Sequence, residues 1–201
     1  MIGQRALLRL LILVPLTLPL SGCFFLDWFT VETEAKPSAT ISALPEKWDV
    51  VGRIGVVHGD EGWHGKLDWT QVRDSFNAKI SGPFGGKQAE LISNRGSIQL
   101  KSPNGESISG SKLAAWQKKV FGSSFPVKAL PYWMHGLPYP KIKDTIVKEN
   151  EGTVHEINQD GWKVGYSRWR KFGDEVMPGK IALAKRDVRV KLILNEYKIN
   201  R

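Results

Sequence analysis

The hydrophobic pattern changes period twice along this chain, and the two changes outline an architecture. From Trp48 onward the residues are strand-like. Val50-Val51-Gly52-Arg53-Ile54-Gly55-Val56-Val57 is β-branched, and Gly59-Asp60-Glu61-Gly62 turns it into a stretch where Trp63, Gly65, Leu67 and Trp69 share one face at period two. Phe76, Ala78 and Ile80 alternate next, then Ala89 and Leu91, with Asn94-Arg95-Gly96 and Pro103-Asn104-Gly105 closing hairpins around Ile98 and Leu100. The period then becomes helical. Leu113, Trp116, Val120 and Phe121 fall on one helical face, with Ser111 as the N-cap and Gly122 as the terminator, and Pro126 starts a second short helix through Leu130 and Trp133. After Leu137-Pro138-Tyr139-Pro140 the strands resume over Thr145 to Lys148, Val154 to Ile157, Trp162 to Trp169, Lys180 to Ala184 and Val188 to Leu194. Strands, two short helices and strands again predict one α+β domain, an antiparallel sheet wrapped around helices.

The N-terminal pattern is different. Arg5 and Arg9 precede an apolar run from Leu10 to Leu20, the length of a signal-peptide core and short of the roughly 20 residues that cross a bilayer. Small residues then lead into Cys23, the only cysteine. Leu20-Ser21-Gly22-Cys23 resembles the lipobox of bacterial lipoproteins, which implies cleavage before Cys23 and acylation of it; an ordinary secretory signal is the plainer alternative. Residues 1–22 thus read as a lipoprotein signal peptide, 23–46 as a lipid-anchored tether containing Pro37 and Pro45, and 47–201 as the folded domain. Phe24 follows the cysteine in place of an inner-membrane-retaining Asp, so the sorting rule implied by the resemblance points to the outer membrane, with the domain facing the periplasm.

Charge and chemistry narrow the picture. The formal net charge is +9, and loss of Arg5 and Arg9 leaves +7 on 179 residues. An envelope address argues against nucleic acid and for anionic lipid head groups or an acidic protein as the partner of that charge. No catalytic residues, metal site or cofactor are expected. His58, His64, His135 and His155 have no ligand spacing and read as isolated exposed polar residues, and no Gly-x-Ser-x-Gly elbow occurs. Gly82-Pro83-Phe84-Gly85-Gly86-Lys87 approximates a phosphate loop but is one residue short, has Gln88 where Ser or Thr belongs, and joins two strands. It reads instead as a hairpin loop whose tip carries Phe84, either projecting into solvent or folded under the core. Eight tryptophans leave a similar choice: solid core, or the lining of a broad apolar cavity.

Several blocks, in order, resemble the LolB family of outer-membrane lipoprotein receptors. They are the lipobox, Gly52-Arg53-Ile54-Gly55, Leu67-Asp68-Trp69-Thr70-Gln71, Ser81-Gly82-Pro83-Phe84-Gly85, Pro126-Val127 with Leu130-Pro131-Tyr132-Trp133, Gly136-Leu137-Pro138, Gly161 to Tyr166, Met177-Pro178 and Arg189 to Leu192. The resemblance implies a half-open antiparallel β-barrel of about eleven strands, with short helices covering an apolar cavity for the acyl chains of lipoproteins delivered by the periplasmic carrier LolA. Trp69, Ile80, Leu91, Leu100, Trp116, Trp133, Leu137, Trp162 and Tyr166 are the expected lining, from strand alternation and the matching blocks. Gly82, Pro83, Phe84 and Gly85 match the hairpin whose apolar tip places cargo in the membrane in that family; Phe84 stands where Leu is common. Residues between Cys23 and Trp48 match little, and Asn195-Glu196-Tyr197 departs from a tryptophan-containing ending. Acylated lipoprotein cargo, a LolA-like carrier and outer-membrane phospholipid are the implied partners of a monomer. The alternative from another class is a lipid-anchored scaffold of an envelope assembly, without a lipid cavity.

Overall fold

The structure, a computed structural model, describes residues 43–82, 88–143, 145–150 and 153–200. Cys23 and the Pro83–Gly85 tip therefore lie outside the described residues. The first meander comprises β1 (Lys47–His58), β2 (Glu61–Val72), β3 (Ser75–Ser81), β4 (Gln88–Asn94), β5 (Ser97–Lys101) and β6 (Ser107–Ser109). Helix α1 (Gly110–Phe121), a 3-10 turn (Val127–Ala129) and α2 (Leu130–Met134) follow. The second meander is β7 (Thr145–Asn150), β8 (Thr153–Gln159), β9 (Trp162–Phe172), β10 (Glu175–Lys185) and β11 (Val188–Ile199).

All eleven strands form one antiparallel sheet in the order β6-β5-β4-β3-β2-β1-β11-β10-β9-β8-β7. The first and last strands pair in its middle, with Trp48 opposite Ile199 and His58 opposite Val188. β6 and β7 are the two edges, and the sheet is open. The helical segment must therefore cross from one edge to the other, over the concave face. This is the half-open barrel that the resemblance implies. The strand missing from the periodicity alone is β6, whose three residues are too few to alternate visibly.

Alternation decides which face is inside. In β1, Trp48, Val50 and Val56 are buried; in β2, Leu67, Trp69 and Gln71; in β3, Phe76 and Ala78; in β11, Val188, Val190, Leu192 and Leu194. Two glycines let the sheet curl. A side-chain carbon on Gly52 would overlap the carbonyl oxygen of Ile193, and one on Gly65 would overlap that of Ser81. At Gly52 the β1–β11 register also slips, because Val51 faces Glu196 while Gly52 faces Leu194. Asn195 is thus the extra residue of a bulge, which bends and twists the strand pair. The Arg170 guanidinium donates to the carbonyls of Leu194 and Asn195, satisfying groups that the bulge takes out of the ladder, and lies 4.6 Å over the Phe172 ring.

The helix start differs from expectation. Ser109, not Ser111, is the N-cap of α1, and it makes no side-chain cap hydrogen bond. The chain leaves β6 at Ser109 and turns at Gly110 with φ +54, so the helix begins before Ser111 is reached. Gly122, at φ 62, ends it as predicted.

Gly52→Val should be strongly destabilising, by about 3 kcal/mol or more, because the strand pair has nowhere to move. Gly55→Ala, where the nearest atom is 3.9 Å away, is the control. Urea unfolding of the two variants checks this; equal midpoints would remove the close approach as the cause of the curvature.

Candidate functional site

Beneath α1, on the concave side of the β1–β5 and β11 half of the sheet, lies an apolar cavity of about 70 Å³. Ile54 reaches it from β1, Trp63, Leu67 and Trp69 from β2, Ala78 and Ile80 from β3, Leu91 from β4, Leu100 from β5, and Val190 and Leu192 from β11. The helical segment closes it with Trp116, Gln117, Phe121, Phe125, Val127, Leu130 and Met134. Gln117 is the one polar side chain among these, and its Nε2 donates to the Phe125 carbonyl at 3.3 Å. Trp63 is 38 % exposed while lining the cavity, which makes it part of a rim. It sits at the end of the sheet carrying the β1–β2 turn, where β3 ends and β4 begins.

The structure brings five of the nine expected lining residues together here: Trp69, Ile80, Leu91, Leu100 and Trp116. It places Trp133, Leu137, Trp162 and Tyr166 elsewhere. Trp133 and Trp162 are fully buried with ring centroids 6.5 Å apart, and Trp162 meets Phe125 edge-on at 5.1 Å. Tyr166 packs 6.0 Å from Trp169, and burial raises its hydroxyl pKa well above the usual range. Leu137 packs against this core just after α2. The aromatic rings therefore do both things left open by the sequence: they fill the β8–β10 half and line the β1–β5 half. The missed residues divide by how visible they were. Leu67 and Trp63 share the face of Trp69 at period two, and Phe121 the face of Trp116; Val190 and Leu192 join only because β11 pairs with β1.

Two buried polar groups fix the helical segment over this interior. Gln159, 1 % exposed, accepts from Trp133 Nε1 and the Tyr139 amide, both at 2.8 Å. It donates to the Tyr139 carbonyl at 3.0 Å and to Thr145 Oγ1 at 2.7 Å. Every hydrogen-bonding position of the amide is engaged, so the end of α2 is tied to β7 and β8. His135, expected on the surface, is wholly buried. Its ring meets Trp48 edge-on at 4.6 Å, its Nδ1–H donates to the Pro131 carbonyl at 2.6 Å, and Nε2 accepts from the Tyr197 hydroxyl at 3.0 Å. Desolvation lowers its pKa to about 4, against the smaller upward pull of the Pro131 carbonyl. Tyr197, in the divergent C-terminal stretch, thus holds β11 to the end of α2. Among the described residues no cluster of three or more potential metal ligands occurs.

Comparisons with known proteins match this geometry. The family model of outer membrane lipoprotein LolB matches residues 46–197. The outer-membrane lipoprotein LolB of Chromohalobacter salexigens is 27 % identical over 173 residues, covering 86 % of this chain and 77 % of its own. That of Cellvibrio japonicus is 29 % identical over 157 residues, covering 76 % and 77 %. A crystal structure from Vibrio parahaemolyticus, described provisionally as an outer membrane lipoprotein-sorting protein domain, superposes with a TM-score of 0.50 at 8 % identity, over 79 % of this chain and 87 % of that one. The curved open sheet with helices across its concave face is accordingly the fold of lipoprotein-sorting domains. The chain belongs to the LolB family. It is an outer-membrane lipoprotein of the lipoprotein-localisation pathway, in a family of trafficking receptors rather than of known enzymes.

The buried imidazole makes stability depend on pH with a defined sign. His135 titrates near 6.5 when unfolded and about 4 when folded, so between those values the unfolded chain binds the extra proton. Stability is full above pH 6.5 and falls as pH drops toward 4, by about 3 kcal/mol. Desolvation pushes the Glu156 carboxyl up, but Lys148, Lys163 and Asn158 together hold it down from 4.5 to about 2, so its own contribution is lost below about pH 4.5 and overlaps only the acid end of this window. Urea midpoints at pH 7.5, 5.5 and 4.5 should fall in that order, and His135→Gln should flatten the series while lowering its upper end.

Proposed function

We propose that this protein takes acylated lipoproteins from a LolA-type periplasmic carrier into the cavity under α1 and passes them to outer-membrane phospholipid, without nucleotide and without catalysis. The supporting observation is the cavity itself: one polar side chain among seventeen, covered by a helical segment that is not held in the sheet. In this reading residues 1–22 are removed, Cys23 carries the lipid anchor, residues 23–46 are the tether, and the monomeric domain from 47 does the work. Each methylene of cargo left in water costs about 0.8 kcal/mol, so a triacylated protein crosses the periplasm only by moving between apolar interiors.

The volume says how acceptance must proceed. About 70 Å³ is room for only a few water molecules, far less than an acyl chain needs. The form described is therefore closed, and cargo enters by displacing the α1 side of the helical segment. That side rests on apolar contacts, whereas α2 is pinned by Gln159 and His135. Trp63 at the rim is the first apolar surface an arriving chain meets. Phe84, between β3 and β4 in the sequence, is assigned the step into the leaflet.

Lipidated protein in vesicles, offered carrier loaded with a labelled lipoprotein, tests this. Label should move to the vesicles without nucleotide. Leu91→Asp, which puts a charge into the cavity wall, should lower acceptance at least tenfold while leaving circular dichroism unchanged. Phe84→Glu should leave acceptance intact and slow insertion. Label that stays on the carrier while the protein is folded would favour the lipid-anchored scaffold instead.

A further inference from the structure

A second feature lies at the opposite end of the sheet from the β1–β2 turn, where the described chain begins. An open groove of about 710 Å³ is bounded by the β2–β3 turn, the β4–β5 turn, the 3-10 turn and the loop after α2. Arg73, Arg95, Lys128 and Lys141 line it, against one carboxylate, Asp74. Arg73 pairs with Glu46 at 3.4 Å, and the exposed Arg95, Lys128 and Lys141 form no ion pair with the described residues. Between the cations stand Tyr132 and Tyr139, half-buried with ring centroids 5.2 Å apart. Leu44, three residues before β1 begins, forms part of the same wall.

The geometry points to a docking surface for anionic phospholipid head groups of the leaflet in which the chain is anchored. This rests on the reading of Cys23 as the anchor. Unpaired cations beside amphipathic tyrosines are the composition of a membrane interface, since cations meet head-group phosphates and tyrosine rings sit at head-group depth. Position supplies the other half of the argument. The tether joins the domain at Leu44, so this end is the nearer to the anchor along the chain. Residues 24–42 span at most about 65 Å when extended, at roughly 3.3–3.6 Å each. A twelve-residue strand is about 40 Å long at ~3.3 Å per residue. The tether therefore permits either end of the sheet to face the membrane, and the groove biases the choice toward the Leu44 end when no cargo is engaged. The cavity rim with Trp63 then points away from the bilayer, toward an arriving carrier.

The acylated cysteine leaves no free thiol, so single reporters can be placed at will. The lipidated full chain carrying a fluorophore on Ser75→Cys, in the groove, or on Asp60→Cys, in the β1–β2 turn, is reconstituted into vesicles containing head-group spin labels. With phosphatidylglycerol present the Ser75 reporter should be quenched more than the Asp60 reporter, and in phosphatidylcholine alone the difference should vanish. Neutralising Arg95, Lys128 and Lys141 to Gln should shift the orientation ratio about fivefold per charge, and high salt should do the same. Vesicle attachment itself should survive the triple change. Equal quenching in both lipids, or no effect of the triple change, overturns the proposal. Protection of the groove by inorganic phosphate or polyglutamate as effective as by phosphatidylglycerol vesicles would overturn it in favour of a soluble anion or an acidic protein. Loss of the protein from vesicles of every composition would instead remove the anchor, and the proposal with it.

Discussion

An open, curled antiparallel sheet presents an apolar concave face that water must not reach, and everything else in this molecule answers to that constraint. A closed barrel would have buried the face by itself. Here the sheet stops at β6 and β7, and the described chain between them, 110–143, covers the opening. The cover is uneven. Toward β8–β10 it interlocks with Trp133, Trp162 and Phe125 into solid core; toward β1–β5 it spans a gap it does not fill. An imperfectly filled apolar interior is ordinarily a cost in stability. In the function proposed above it is the working part.

The two halves differ in what holds them. Around α2 the interior is polar in a few places and fully engaged: Gln159 spends its amide on four hydrogen bonds, and His135 bridges Pro131 and Tyr197. Such bonds are directional and costly to break one at a time, because each leaves a buried group unpaired. Around α1 the contacts are apolar and non-directional, so other apolar groups could replace them with equivalents. A single segment thus carries a fixed end and an exchangeable end, and the difference lies in side-chain chemistry, not in backbone geometry.

Much of this was legible in the sequence. Ten of the eleven strands announce themselves by alternation or β-branching, α1 by the spacing of Leu113, Trp116, Val120 and Phe121, and the family by ordered blocks from Gly52 to Leu192. What alternation does not carry is which strand lies beside which. Trp69 and Trp162 look alike in the sequence, each an inward tryptophan of a strand, yet one lines the cavity and the other is core, because β2 and β9 fall on different sides of the β1–β11 seam. His135 was misjudged for a related reason. Its partners are Trp48 and Tyr197, distant in the chain and joined only by that seam, so nothing near it in sequence marks it as buried.

That seam also governs how the protein comes into being. The strand that emerges first from the export machinery needs the strand that emerges last as its neighbour, and Trp48 waits for Ile199. Contacts of such long sequence separation are entropically slow to form. Until β11 arrives, the first meander exposes both an unpaired edge at β1 and its apolar concave face, the two surfaces most prone to pairing with other chains. Folding of this sheet is therefore completed only once β11 has joined β1, and for that interval the chain carries the kind of exposed apolar surface that its finished fold exists to cover.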